Sequence, residues 1–185
     1  MRKFIKFSVF LLAAFSSLLI GCGKNYEVGD KGPGGGIIFY VNKAGFTVEG
    51  YGTARYLEAA PADMGEFAWG GHGTSIGGTG TGIGSGRNNT DRILAKVPGA
   101  PAALACKNYT GGGKTDWFFP SKDELKELYL KKHLVGGLGN NYYYYWSSSE
   151  GNSHSAWYQD FDSGTQYGYN FNKGSSFLVR AVRAF

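Results

Sequence analysis

The residues whose types could support chemistry are a pair of acids, a run of serines and three histidines. Asp160 and Asp162 stand two apart in an alternating segment, so a strand would place both carboxylates on one face. Paired carboxylates bind Ca²⁺ or act together in glycoside hydrolysis, although a solvated polar face explains the same pattern. The serines at 147–149 precede His154 but lack the glycines of a nucleophile elbow. We therefore predict no catalytic site.

The histidines are too scattered to predict a metal centre. His72, His133 and His154 are far apart in the chain, and none stands four residues from another histidine or a cysteine. The segment ending in Lys114 resembles a phosphate-binding loop, but Asn108 occupies a position that needs glycine, and no helix signal follows. The sequence thus predicts neither a metal nor a cofactor.

The N-terminal 21 residues have the features of an export signal. Arg2, Lys3 and Lys6 precede an apolar stretch shorter than the ~20 residues that span a bilayer. The four residues ending at Cys22 resemble the lipobox of bacterial lipoproteins, in which this cysteine is acylated and becomes the mature N-terminus. We therefore expect a signal peptide at 1–21, a lipidated tether at 22–31 and one domain at 32–185. The protein would be exported and anchored through its N-terminal lipid to the bacterial cell envelope, at the outer membrane or cell surface.

The basic charge of the chain comes largely from this leader. Lys and Arg total 19 against 14 Asp and Glu, and removing the three leader cations leaves 16 against 14. A net charge of +2 gives no electrostatic reason to expect nucleic acid as a partner.

Strand signals occupy both ends of the chain, and helix signals lie between them. Ser121 and Glu124 form a capping box that begins the clearest helix. A glycine-rich stretch at 72–86 is predicted to be an extended surface loop. The predicted strands are 37–41, 55–59, 142–147, 156–162 and 177–185, and the predicted helices are 91–96, 100–109 and 121–132. This order favours one α+β domain with its termini close together.

The C-terminal third has the composition of a binding surface. Tyrosine, serine, glycine and asparagine are the residues that antibody paratopes use. Alternation along 156–162 predicts that Trp157 and Phe161 point inward and that Tyr158, Asp160 and Asp162 point outward. The candidate ligand-binding residues are Tyr142, Tyr144, Asn152, His154, Tyr158, Asp160, Asp162, Tyr167, Tyr169, Asn170 and Asn172. An aromatic strand pair with solvated loops is the alternative interpretation of this composition.

Several blocks together resemble one bacterial family, the Lcl (collagen-like protein) C-terminal domain family. The blocks are 29–41, 117–125, 146–149, 156–157 with Phe161, and 179–183. The resemblance implies a C-type-lectin-like fold, with an antiparallel sheet, two main helices and long glycine-rich loops. Family members include adhesins that bind sulfated polysaccharides, and the fold also serves as the variable protein of diversity-generating retroelements. The chain lacks the calcium-binding triplets of lectins and the paired active-site cysteines of the related formylglycine-generating enzymes, so the resemblance implies neither Ca²⁺-mediated sugar binding nor catalysis.

The leading hypothesis is a lipid-anchored module that binds a host or environmental glycan or protein. One alternative is a structural envelope lipoprotein whose tyrosine-rich face packs on another envelope protein. A more remote alternative is a hydrolase that uses Asp160 and Asp162. No oligomeric state follows from the sequence.

The lipidation hypothesis predicts the behaviour of one variant. Cys22→Ala removes the acylated thiol, so the protein should remain unprocessed or become soluble. Detergent partitioning and intact mass spectrometry measure both properties. A Cys22→Ala protein that still enters the detergent phase at the mature mass would contradict the anchor.

Overall fold

A computed structural model describes residues 24–138 and 144–185. The strands are β1 (Ile37–Val48), β2 (Gly52–Ala59), β3 (Gly65–Ala68), β4 (Tyr144–Glu150), β5 (Ala156–Asp160), β6 (Gln166–Tyr167), β7 (Ser176–Val179) and β8 (Val182–Ala184). The helices are α1 (Gly86–Lys96), α2 (Pro101–Lys107), α3 (Lys122–Leu130) and α4 (Lys132–Val135), with a 3₁₀ turn at Gly111–Gly113. The predicted α+β class is confirmed. Among the described residues, no helix has both the length and the apolar character needed to cross a membrane.

The strands form two sheets. A three-stranded sheet has the order β1-β2-β8, and a five-stranded sheet has the order β3-β7-β4-β5-β6. The expectation of a purely antiparallel sheet is wrong at one pair, because β4 and β7 run parallel. Strand β6 also runs parallel to β4, so β6 and β7 point in the same direction. The chain must therefore return across the sheet between the end of β6 and the start of β7. Residues 168–175, which we call the Tyr169 loop, make this return.

Both faces of the five-stranded sheet are covered, and two hydrophobic clusters result. One cluster packs Trp146, Tyr158 and Phe177 with α1 and α2. The other packs Tyr145 and Phe161 against the three-stranded sheet and α3. The core therefore lies on both sides of β4 and β5.

Two-sided burial corrects the predicted orientation of β5. Phe161 is buried as expected, but Tyr158 is only 2% exposed. Trp157 lies on the opposite face and is half-buried, with the Lys122 Nζ atom 5.2 Å from its ring centroid. Alternation separated the two faces of the strand, but it could not show that each face meets a covering layer.

The capping box at α3 is confirmed. Ser121 N donates to Glu124 Oε2 at 2.7 Å, and Glu124 N donates to Ser121 Oγ at 3.3 Å. Glu124 also accepts from Gly84 N at 2.8 Å. A Cβ at Gly86 would lie 2.2 Å from Glu124 Oε2, so only glycine fits there. Helix α1 begins at this glycine rather than after Thr90, whose hydroxyl bonds Gly86 O within the helix and Phe119 N outside it.

Hydrogen bonds and ion pairs tie the two C-terminal arginines into the fold. Arg180 Nε donates to Asp63 at 2.6 Å, and its guanidinium also bonds the backbone oxygens of Ala60 and Gly137. Arg183 bridges Asp116, at 2.8 Å, and Glu58, at 3.0 Å. These bonds leave neither guanidinium available as a ligand group.

The segment that is expected to be a tether packs on the domain from Tyr26 onward. The Tyr26 ring lies 5.3 Å from that of Tyr56 and 5.6 Å from that of Phe185, centroid to centroid. Gly29 N donates to Ile38 O at 2.8 Å, which adds this segment to the edge of β1. The folded part of the chain therefore begins within a few residues of Cys22.

Glu124 predicts a pH dependence of stability. Burial raises its pKa from 4.5 to about 7, even though the backbone N–H groups of Ser121, Gly84 and Gly86 act in the opposite direction. Because the folded-state pKa lies above the unfolded one, this contribution is present below about pH 4.5 and is lost as the pH rises to about 7. The free energy of unfolding should fall by about 2–3 kcal/mol across that window. Urea unfolding at several pH values measures it.

Glu124→Gln is the diagnostic variant, with Glu127→Gln as the control on the same helix. The first should be less stable at every pH, because an amide N–H₂ would face a backbone donor, and it should lose the slope between pH 4.5 and 7. The second should keep the slope, since Glu127 is only partly buried. An unchanged slope in Glu124→Gln would contradict the assignment.

Candidate functional site

Two loops meet at one end of the five-stranded sheet. Residues 151–155, which we call the Asn152 turn, follow β4, and the Tyr169 loop follows β6. Since β6 runs parallel to β4, both segments leave the sheet at the same end. The topology therefore places two stretches of the tyrosine- and asparagine-rich segment side by side.

Hydrogen bonds hold the two loops in place. The Asn152 Oδ1 atom accepts from His154 N at 2.8 Å and from Ser155 N at 3.0 Å, which closes the turn. Between the loops, Ser155 Oγ donates to Gly168 O and Lys173 N donates to His154 O, each at 2.8 Å. The loops are thus bonded to each other as well as to the sheet.

A shallow depression of about 250 Å³ lies between the loops. We call it the binding depression. It is lined by Asn152, His154, Ser155, Tyr169, Asn170, Phe171 and Asn172. Tyr169 is 78% exposed and Phe171 is 40% exposed, both high for large aromatic side chains. Asn152, His154, Tyr169, Asn170 and Asn172, which the sequence singled out, therefore converge here.

Tyr158 is a correction to the predicted set, because it supports the depression from below instead of lining it. Its ring contacts the rings of Tyr144, Trp146, Tyr167, Phe171 and Phe177 at centroid distances of 5.1–5.7 Å. Phe171 reaches down from the Tyr169 loop into this aromatic cluster. The loop is therefore anchored on a packed aromatic floor.

The Tyr158 hydroxyl connects the floor to the loop. Burial raises the pKa of Tyr158 to about 12, and a hydrogen bond from the Asn170 side chain acts in the opposite direction. Through this bond the phenol of the floor meets Asn170 at the rim.

Asp160 and Asp162 do not lie in the depression. Asp160 accepts from Asp162 N at 2.8 Å and from Ser163 Oγ at 2.8 Å, so it caps the turn between β5 and β6. Burial would raise the pKa of Asp160, but these bonds outweigh it and hold the pKa below its ordinary value. A glycosidase general acid requires the opposite shift, so neither this shift nor the turn-capping bonds support Asp160 as that acid.

The remaining predicted residues are peripheral or lie outside the described ranges. Tyr144 and Tyr167 are half-buried in the aromatic floor, and the Tyr167 ring stacks on Tyr158 at an angle of 24°. Cys22 and Tyr142 fall outside the described residues. In those described ranges, no three His, Cys, Asp or Glu side chains converge on one point.

Sequence reasoning missed the ion pair that fastens the site to the glycine-rich loop. Lys173 Nζ lies 2.6 Å from Glu150 Oε1, and the lysine side chain is fully buried. The Glu150 carboxylate accepts from Ile76 N at 2.8 Å and Gly77 N at 2.9 Å. No local sequence pattern predicts that Lys173 is buried in an ion pair, since its partner Glu150 lies 23 positions away. Phe171 was also missed, although its place in the aromatic segment could have revealed it.

The fold and the depression define a small α+β domain that presents two fixed loops on a packed sheet. The family model of the Lcl C-terminal domain matches residues 82–183, more than half of the 185-residue chain. The chain therefore belongs to the Lcl C-terminal domain family, as the resemblance predicted. The match includes both loops of the binding depression.

The fold is also similar to that of a fimbrial protein from Bacteroides ovatus ATCC 8483. The TM-score is 0.57 at 14% identity, over 81% of this chain and 44% of that one. At this identity the likeness concerns the fold alone, and this chain spans less than half of the fimbrial protein. Comparison with curated protein sequences gives no match.

The different positions of Tyr158 and Tyr169 predict different costs of truncation. Tyr158→Ala should lower the free energy of unfolding by about 3–5 kcal/mol, since it removes a ring from the packed cluster. Tyr169→Ala should change it by no more than about 0.5 kcal/mol, as is usual at exposed sites. Tyr158→Phe should cost about 1 kcal/mol, because it keeps the packed ring and removes only the hydroxyl. Urea unfolding provides all three values, and an equal cost for the two alanine variants would contradict this division.

Proposed function

We propose that this protein is a binding module of the cell envelope that captures an external glycan or protein through the binding depression. One observation carries the proposal. The fold brings Asn152, His154, Tyr169, Asn170 and Asn172 together around a single concave surface. Amide groups there offer both donors and acceptors, and an exposed tyrosine offers a flat apolar face with a polar tip.

The fixed geometry of the loops supports binding. Binding loses free energy whenever flexible loops must be ordered. Here the Asn152 turn is closed by its own side chain, and Phe171 anchors the Tyr169 loop on the aromatic floor. The polar groups of the depression are therefore held in position before a ligand arrives.

The size and charge of the depression favour a particular class of ligand. Its volume of about 250 Å³ lies below the ~300–1,000 Å³ of most small-molecule pockets. A protruding group, such as a terminal sugar or a protein side chain, suits it better than an enclosed small molecule. Lys173 is fully buried and neutralised by Glu150, so we favour a neutral glycan or a protein surface over the sulfated polysaccharides bound by some family members.

We further propose that the module is exported and lipid-anchored at Cys22. Lys24 is the first described residue, and its Nζ atom lies 4.8 Å from the Tyr26 ring centroid. Two residues span at most ~7 Å, so an acylated Cys22 would hold the domain directly against the membrane surface. The likeness in fold to a fimbrial protein agrees with a position outside the cell.

Two finer assignments belong to the same proposal. We assign the fold to the C-type-lectin-like group, which accounts for the two sheets and the glycine-rich loops. Asn152, Asn170 and Asn172 line the depression, and randomising the adenines of asparagine codons would vary such residues directly. We therefore propose the segment as a target of sequence diversification, for which a neighbouring reverse transcriptase gene and a near-repeat of the 3′ end would be the genomic signs.

A structural envelope lipoprotein is the second candidate, favoured by the exposure of Tyr169 and Phe171. In that role the two rings would be covered permanently by another envelope protein. Light scattering and crosslinking in native membranes distinguish the two cases, because a binder leaves this face free until its ligand is added.

Binding to arrays of neutral glycans, sulfated glycans and matrix proteins tests the proposal. With purified mature protein in detergent, Tyr169→Ala should weaken binding to the best ligand by about 30-fold, the effect of a hot-spot residue worth 2 kcal/mol. Asn170→Ala and Asn172→Ala should also weaken it.

The matched controls are Tyr51→Ala and Asn108→Ala. Both residues are exposed and do not line the depression, so these variants should bind like the wild type. Wild-type affinity in all three depression variants would refute the site, and equal losses in the controls would show a general effect on folding.

A further inference from the structure

Two of the three histidines meet beside the binding depression. The His72 and His154 ring centroids are 5.0 Å apart, with the ring planes at 77°. Both residues are exposed to solvent, so the pair is open to small solutes. His154 also lines the depression.

The backbone fixes the approach of the two rings. Gly73 N, next to His72, donates to Ser153 O at 2.9 Å. On the other side, Lys173 N holds His154 O, and Asn152 Oδ1 holds His154 N, each at 2.8 Å. The two histidines are therefore brought together by anchored segments and not only by contact between their rings.

The Ser153 hydroxyl can orient the His154 ring for metal binding. The Ser153 Oγ atom lies 2.9 Å from His154 Nδ1. When Oγ accepts a hydrogen bond from Nδ1–H, the neutral imidazole has its lone pair on Nε2. That nitrogen lies away from the serine and can bind a metal ion. Metal-binding histidines commonly have their other nitrogen oriented by such a partner.

From this geometry we propose that His72 and His154 form a binding site for a divalent transition metal of the zinc and copper class. Imidazole nitrogens suit Zn²⁺, Cu²⁺ and Ni²⁺, whereas Ca²⁺ and Mg²⁺ require oxygen ligands. The protein supplies two ligands, and water completes the coordination. An oxygen of a molecule in the depression can replace that water, because His154 belongs to both sites. Metal binding itself does not depend on the proposed function.

Titration of the purified mature protein with Zn²⁺, Cu²⁺ and Ca²⁺ tests this site. The protein should be purified without a histidine tag, and calorimetry should detect Zn²⁺ and Cu²⁺ but not Ca²⁺. His72→Ala and His154→Ala should each weaken Zn²⁺ binding by about 100-fold, since a two-point site becomes a single contact. Ser153→Ala should weaken it by about tenfold, as for other residues that orient a ligand.

His133→Ala is the matched control, because His133 is an exposed histidine on α4 that is not part of the pair. It should bind Zn²⁺ like the wild type. Electron paramagnetic resonance of the Cu²⁺ complex should show two nitrogen ligands in the wild type and one in His72→Ala. Zn²⁺ should also raise the melting temperature of the wild type, because it joins two loops, and should not raise that of His72→Ala.

Three outcomes would overturn the proposal. They are the absence of Zn²⁺ binding at millimolar concentration, equal affinity in the wild type and His72→Ala, and an equal loss in His133→Ala. Melting temperatures in the presence of a chelator show whether each variant is folded. If His154→Ala is unfolded, His154→Asn and the His72 variants still decide the question.

Discussion

A buried carboxylate must be fully hydrogen-bonded, and this constraint organises the glycine-rich parts of the molecule. An isolated buried carboxylate is too costly to keep charged. Glu58 is fully buried and accepts from Gly34 N at 2.9 Å, Gly36 N at 2.7 Å and Arg183 Nη1 at 3.0 Å. The Glu124 carboxylate likewise accepts a hydrogen bond from Gly84 N, and the Glu150 carboxylate accepts from Ile76 N and Gly77 N. The glycine-rich stretches at 32–36 and 76–86 are thus held by hydrogen bonds to glutamate carboxylates.

The same constraint reaches the binding depression. Glu150 binds the loop that carries His72 and also pairs with Lys173, whose backbone N–H holds the carbonyl of His154. The candidate ligand site, the histidine pair and the glycine-rich loop consequently share one buried ion pair. Breaking such a pair leaves an uncompensated buried charge, which is strongly destabilising.

The residue types of the candidate site could be predicted from the sequence, but the burial of each residue could not. Tyr169, Asn170 and Asn172 were recognised because tyrosine and asparagine in a turn-rich segment are typical of binding loops. Tyr158 has the same chemistry and is followed by the polar residues Gln159 and Asp160, yet it is buried, because the Tyr169 loop crosses back over its face of the sheet. Residue type alone cannot separate these tyrosines, since the difference arises only when the Tyr169 loop folds back and covers Tyr158.

The sequence by itself determined the features that depend on near neighbours along the chain. The capping box of Ser121 and Glu124 is confirmed because its partners stand three residues apart, and the motif blocks were sufficient to identify the family. Only the tertiary structure decided the parallel pairing of β4 with β7, the burial of Tyr158 and the meeting of His72 with His154. The physical reason is the range of the interactions. Helix caps and alternation are local, whereas the layer that covers a strand and the loop that approaches a histidine depend on how distant segments close the core.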